Sequence, residues 1–243
     1  MFAFGSTTSA AQLEEIEERG KLLVAVKDNL RPLGFVDESG NLVGLEIDIA
    51  RRLAKELLGD ESAVEFLPVS NEDRLKAVVN EEVDLTIARV SATDSRRRLV
   101  DLSPYYYLDG TGIITKDVTV NYAEGLGNSK IALLYDSTTI PILRYHLPNA
   151  QLVGVDSYQS ALELLESDRV QAFAADISVL TGWVQEYPQY RLLPERLSGA
   201  ALSVVMPKGL QYKELQLAVD KAIGSMRQSG WLQERIEYWG LPN

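Results

Sequence analysis

Apolar residues along this chain follow two periods, and the periods alternate. Short runs rich in Val, Ile, Leu and Ala predict strands at Leu22–Val26, Ala63–Val69, Val83–Val90, Ile131–Tyr135, Gln151–Val155, Val170–Ala174 and Ala200–Val205. Apolar positions spaced by three and four predict helices at Glu46–Leu58, Asn71–Val79, Thr138–His146, Tyr158–Glu166, Ile177–Gln185, Glu214–Gln228 and Trp231–Tyr238. Alternation of this kind implies α/β layers with mostly parallel sheets. Tyr107–Thr115 (YLDGTGIIT) reads as a strand that crosses out of one sheet, and Ser203–Lys208 (SVVMPK) as the return. Two crossings predict a discontinuous first lobe, 1–112 with 204–243, and an inserted second lobe, 113–203. Open α/β sheets bind ligands outside the carboxyl ends of their strands, so a cleft between two such lobes is the expected site.

The segment with the clearest chemistry is Val83–Arg98 (VDLTIARVSATDSRRR). An apolar strand delivers Ser91, Ala92 and Thr93, which break it and can cap a short helix. N–H groups at a helix start attract an anion. Arg96 falls about one turn further on, where a guanidinium can meet a carboxylate through two parallel hydrogen bonds. A plainer reading is also open: Thr93 as a cap, and Arg96, Arg97 and Arg98 as a solvated basic face.

Composition narrows the partners. The chain has 243 residues, 46% of them hydrophobic, enough for one large core or two smaller ones. A formal charge of -11 argues against nucleic acid and anionic membranes, both of which demand clustered positive charge. With no cysteine there is neither a disulfide nor a thiolate metal site. His146 is the sole histidine, so a Ser-His-Asp triad or multi-histidine metal site has little support, and no metal or cofactor is expected. No stretch approaches the ~20 apolar residues of a membrane span. Met1–Ala10 lacks the basic and apolar regions of a complete signal peptide. Gly125–Lys130 precedes a strand, so it reads as a turn, not a phosphate loop. Tyr105, Tyr106 and Tyr107 are expected to pack the first lobe, Trp231 and Trp239 the last helix, and Glu14–Glu18 to form a solvated helix face.

Eight segments occur in a telling order: Leu22–Asp28 (LLVAVKD), Pro32–Phe35, Gly44–Ala50 (GLEIDIA), Val83–Arg96, Ser103–Tyr107, Ile131–Thr138 (IALLYDST), Val170–Asp176 (VQAFAAD) and Trp231–Trp239. Together they resemble the polar amino-acid family, family 3, of bacterial extracytoplasmic solute-binding proteins. The resemblance implies a two-lobed type II periplasmic-binding-protein fold, with two mostly parallel sheets flanked by helices and two hinge crossings. It implies a monomeric receptor that closes about a free L-amino acid and delivers it to the membrane permease of an ABC importer. The location implied is periplasmic or extracytoplasmic, with an export signal or lipid anchor removed from the N-terminus.

The resemblance also assigns residues. Arg96 and Ser91 would hold the ligand carboxylate from the first lobe, helped by Ser137 and Thr138 of the Asp136-Ser137-Thr138 turn in the second. Asp136 stands where the family has glycine, which a residue tolerant of left-handed geometry can satisfy. Asp176, locally a helix cap, would accept from the ligand ammonium. For the ligand side chain, Arg31 and Arg89 would favour acidic or amide amino acids, whereas Asp28 occupies a position where relatives contact basic or amide groups. Two other classes share the scaffold. Cyclohexadienyl and arogenate dehydratases carry a proton donor three residues beyond Asp176, where this chain has Val179, which cannot transfer a proton. A ligand-sensing input domain would keep the same ligand chemistry without transport.

Overall fold

Strand β1 (Leu22–Val26) is buried at every position, and its two sets of side chains enter two different cores. The computed structural model in which this is seen describes residues 12–243, so the Met1–Ala10 stretch lies outside the described residues. The chain forms two compact units: the described residues up to Leu108 with Ala201–Asn243, and Asp109–Ala200.

Around β1, the chain lays down α1 (Leu13–Arg19), β2 (Asn29–Leu30), β3 (Gly34–Val36), β4 (Leu42–Val43), α2 (Leu45–Leu58) and β5 (Val64–Pro68). It continues through α3 (Lys76–Val79), β6 (Leu85–Ile87), α4 (Asp94–Arg97) and β7 (Asp101–Asp109). The second unit contributes β8 (Thr111–Thr115), β9 (Lys130–Leu134), α5 (Thr139–His146), β10 (Gln151–Val155), α6 (Tyr158–Glu166), β11 (Ala172–Asp176), α7 (Ile177–Glu186) and β12 (Arg191–Leu192). The chain then returns through β13 (Ala200–Met206) to α8 (Lys213–Gln228) and α9 (Trp231–Tyr238).

The first sheet has the order β5-β1-β6-β13-β7, and β2-β3-β4 form a small separate sheet. Strand β1 pairs in parallel with β5 and β6, whereas β13 runs antiparallel to β6. Leu22, Val24 and Val26 pack with Leu45, Ile49 and Leu53 of α2 and with Leu215 and Val219 of α8. The alternate residues, Leu23 and Ala25, join Ala77 and Val78 of α3 with Val83, Val90 and Val100. Burial on both faces explains why the strand is apolar throughout instead of alternating.

The second sheet, β10-β9-β11-β8-β12, repeats the scheme. Strand β9 is parallel to β10 and β11, and β8 is antiparallel to β11 and β12. One face holds Phe173, Ala175, Leu180 and Trp183, and the other Ile131, Leu133, Leu143 and Ala172. Each large sheet is therefore mixed: three parallel strands carry antiparallel neighbours on one side.

Local chemistry shifts several predicted elements. The expected strand Val83–Val90 keeps only Leu85–Ile87, its carboxyl end cut short ahead of Arg89, which turns into the left-handed region at φ 51°. Only Lys76–Val79 of the expected helix Asn71–Val79 is α-helical, because the Ser70 hydroxyl accepts from the N–H groups of Glu72 and Asp73 and holds that stretch as a turn. The expected crossing strand Tyr107–Thr115 divides at Gly110, where a Cβ would lie 1.9 Å from the Ser198 carbonyl oxygen. Tyr106 and Tyr107 join the first unit's core, and Trp231 and Trp239 pack against it. Helix α1 buries Ile16 and leaves its glutamates exposed.

Candidate functional site

Three neighbouring parallel strands of the first unit, β5, β1 and β6, end on the same edge of their sheet, and the expected ligand residues of that unit follow two of them. Thr93 is the N-cap of α4, its Oγ1 accepting the Arg96 N–H at 3.3 Å. The Arg96 side chain turns back, and its Nη1 donates to the Ser91 carbonyl at 2.7 Å and to Ser91 Oγ at 2.6 Å. Arg96 is half-buried, whereas Arg97 and Arg98 are exposed, so the solvated basic face describes the latter two and not Arg96. Arg89 occupies the turn just before. Its N–H donates to Glu46 Oε1 at 2.6 Å, and Arg74 Nη1 donates to the carbonyls of Ala88 at 2.9 Å and Arg89 at 2.7 Å.

The electrostatics of this edge are cationic. Burial lowers Arg74 to about 10, with repulsion from Arg89 and then Arg96 adding to it. Arg96 is lowered as well, first by burial and then by Arg89. Lys27, which donates to the Val69 carbonyl at 2.8 Å, is pulled down by burial and by Arg74 and Arg89, against the opposing pull of Asp28 and Glu46. Four cationic groups thus share one sheet edge with two carboxylates. Glu46 is fully buried, and that burial raises its pKa in spite of hydrogen bonds from Tyr106 and the Arg89 N–H. Sequence reasoning missed Lys27, Glu46 and Arg74. The one legible sign was Glu46, an acid inside the apolar run GLEIDIA.

Arg31 and Asp28 are placed differently. Arg31 stacks on the Phe35 ring, 4.0 Å from its centroid, in the small sheet, and Phe35 in turn meets Trp239 edge-on at 5.8 Å. Asp28, two residues past β1, is half-buried, its carbonyl accepting the Val36 N–H at 3.0 Å.

In the second unit, the Asp136-Ser137-Thr138 turn follows the carboxyl end of β9, and Asp176 ends the adjacent parallel strand β11. Asp136 has φ 54°, the left-handed geometry that the sequence reading required of it. Ser137 Oγ accepts the Thr139 N–H at 3.1 Å, and Thr138 is the N-cap of α5. Tyr135, beside them, is 65% exposed and rests on Gly154, where an added Cβ would come within 2.3 Å of its ring. Gly154→Ala is expected to push that ring aside at a cost of about 1 kcal/mol, measurable as a lower urea midpoint with unchanged slope.

Asp176 holds the N-cap position of α7 but makes no side-chain cap hydrogen bond. The cap comes instead from the buried Asp109 at the end of β7: its Oδ1 accepts from Gly110 N at 2.9 Å and Ser178 N at 3.0 Å, and its Oδ2 accepts from Ser178 Oγ at 2.5 Å. The capping role read locally for Asp176 therefore belongs to another residue. Val179 is buried on α7. Among the described residues, no group of three or more His, Cys, Asp or Glu is placed to hold a metal ion.

The family model for bacterial extracellular solute-binding proteins, family 3, matches residues 22–242. The chain belongs to that family. A glutamine-binding protein of Geobacillus stearothermophilus is 33% identical over 189 residues, covering 76% of this chain and 72% of the relative. The ABC transporter glutamine-binding protein GlnH of Bacillus subtilis is 27% identical, covering 93% and 84%. Among solved structures, an ancestral cationic amino acid solute-binding protein superposes with a TM-score of 0.80 at 26% identity, covering 93% of this chain and 98% of the other. The fold of this family 3 protein is accordingly the type II periplasmic-binding-protein fold, and its role is solute binding, not catalysis.

Proposed function

We propose that this protein is the extracytoplasmic receptor of an ABC importer, a monomer that binds a free L-amino acid and favours acidic or amide side chains. The observation that carries the preference is the crowding of Arg74, Arg89 and Arg96 at the exit of β6, where burial and mutual repulsion weaken the protonated form of Arg74 and Arg96. An anionic ligand relieves that repulsion, and a cationic one adds to it. In this reading the first unit takes the α-carboxylate. Both Arg96 bonds to Ser91 run from Nη1, and the Nη2–Nε edge of the fork is assigned to the ligand. Arg89, with Arg31 and Asp28 from the segment that follows β1, is assigned to the ligand side chain. From the second unit, Ser137 and Thr138 add donors for the carboxylate, and Asp176 accepts from the ammonium. Family membership and two relatives named as glutamine-binding proteins, one of them of an ABC transporter, support the receptor reading.

The test is a thermal-shift screen of the twenty amino acids on protein unfolded and refolded to remove carried-over ligand. At a hundredfold excess over Kd, a true ligand adds ~2.7 kcal/mol and raises Tm by about 5–10 °C. A rise with glutamate, aspartate or glutamine is expected, with lysine and arginine flat. A rise confined to the cationic amino acids overturns the preference, and no rise with any amino acid overturns the receptor reading itself.

A further inference from the structure

Arg89 is a large side chain held where glycine would normally sit. At φ 51° it occupies the left-handed region, which is unfavourable for such an L-residue and persists only where the surroundings offset the strain. The surroundings hold it from two sides. On one, the fully buried Glu46 of α2 accepts the Arg89 N–H at 2.6 Å and the Tyr106 hydroxyl at 2.5 Å through the same oxygen, Oε1. On the other, Arg74, from the turn ahead of α3, gives Nη1 to the two carbonyls that flank that N–H, those of Ala88 and Arg89. A buried carboxyl group and a half-buried guanidinium thus grip one peptide turn by its donor and its acceptors. Such groups are costly to bury, and Glu46 keeps its second oxygen, Oε2, buried with no hydrogen-bond partner among the described residues. If a turn were all that was needed, glycine at 89 would supply it without either charge.

We infer that Glu46 and Arg74 are positioning residues that fix the Arg89 backbone so that its guanidinium is presented to the side chain of the bound ligand. They act through Arg89, and neither touches the ligand. The same clamp sets Ser91, two residues on, whose carbonyl and hydroxyl orient Arg96. The inference rests on the receptor reading and deepens it: selectivity between an acidic and an amide side chain is set by a turn that Glu46 and Arg74 hold.

A double-mutant cycle tests it, with the ratio of glutamine Kd to glutamate Kd as the readout and titration calorimetry as the method. Arg89→Ala is expected to shift the ratio toward glutamine by about tenfold. Arg74→Met, which removes both carbonyl bonds, should shift it in the same direction by severalfold, and Arg74→Lys, which keeps a donor, by less. In the Arg89→Ala background, Arg74→Met should move the ratio no further, because the residue it positions is gone. Glu46→Gln, which preserves the Oε1 acceptor, should keep the wild-type ratio, whereas Glu46→Ala should lose it. A merely structural role for Arg74 predicts something else: a lower Tm with the ratio intact, or equal shifts with and without Arg89. Either result overturns the inference. Its failure is distinct from failure of the receptor reading, which shows in the wild-type protein as no binding of either amino acid and removes the basis of both.

Discussion

Arg96→Ala is expected to weaken amino-acid binding by about a thousandfold, ~4 kcal/mol, while leaving the fold almost unchanged. The size follows from what the side chain is assigned to do. A half-buried guanidinium, already lowered by burial and by Arg89, gains most from a partner that replaces lost water with two charge-assisted hydrogen bonds. The small effect on stability follows from its setting. Arg96 lies in a four-residue helix, and its described partners are the carbonyl and hydroxyl of the half-buried Ser91. Arg97→Ala is the control: that side chain is exposed, and its removal should leave Kd unchanged. Calorimetric titration of the two variants with the ligand found in the screen decides the matter. Equal affinity in wild type and Arg96→Ala removes the carboxylate assignment.

The second large effect is on stability. Asp109→Ala is expected to destabilise the protein by about 3 kcal/mol and lower its Tm by roughly 6–12 °C. Asp109 is 1% exposed and accepts from two backbone N–H groups and one hydroxyl, so its loss leaves three donors buried without an acceptor. One of those donors is the Ser178 N–H in the first turn of α7, which nothing else in that helix can satisfy. Asp109→Asn, which retains one oxygen, should cost about half as much. A denaturation midpoint for Asp109→Ala within the error of the wild type refutes the capping role. Helix α7 starts from Asp176, so the two variants also probe how firmly that carboxylate is held.

The two predictions draw on different kinds of information. Arg96 was legible from the chain, because a strand, a hydroxyl-rich break and an arginine one turn later form a local sequence with a local structure. So was the left-handed turn at Asp136, where the need for special geometry coincides with a residue that tolerates it. Asp109 was not legible, since it caps a helix that begins 68 residues further along, across a sheet. Glu46 and Arg74 were hidden in the same way, and so was the left-handed turn at Arg89, which the sequence offered only as a candidate for the ligand side chain. Each belongs to a different element, and only the order β5-β1-β6 carries the ends of those elements to one edge. The small sheet β2-β3-β4 escaped notice because strands of two or three residues are too short to show a period.

By itself the sequence determined the alternation of strands and helices, the apolar character of the doubly covered strands, and the family to which the chain belongs. Those properties depend on residues near one another in the chain and on burial, which both leave a periodic trace. Tertiary structure alone decided which distant charges would meet, which carboxylate would cap α7, and which arginine would be bent into the left-handed region and gripped there. A hydrogen bond between residues 43 positions apart, such as that from Arg89 to Glu46, leaves no trace in either segment, because each residue is locally unremarkable until the sheet brings them together.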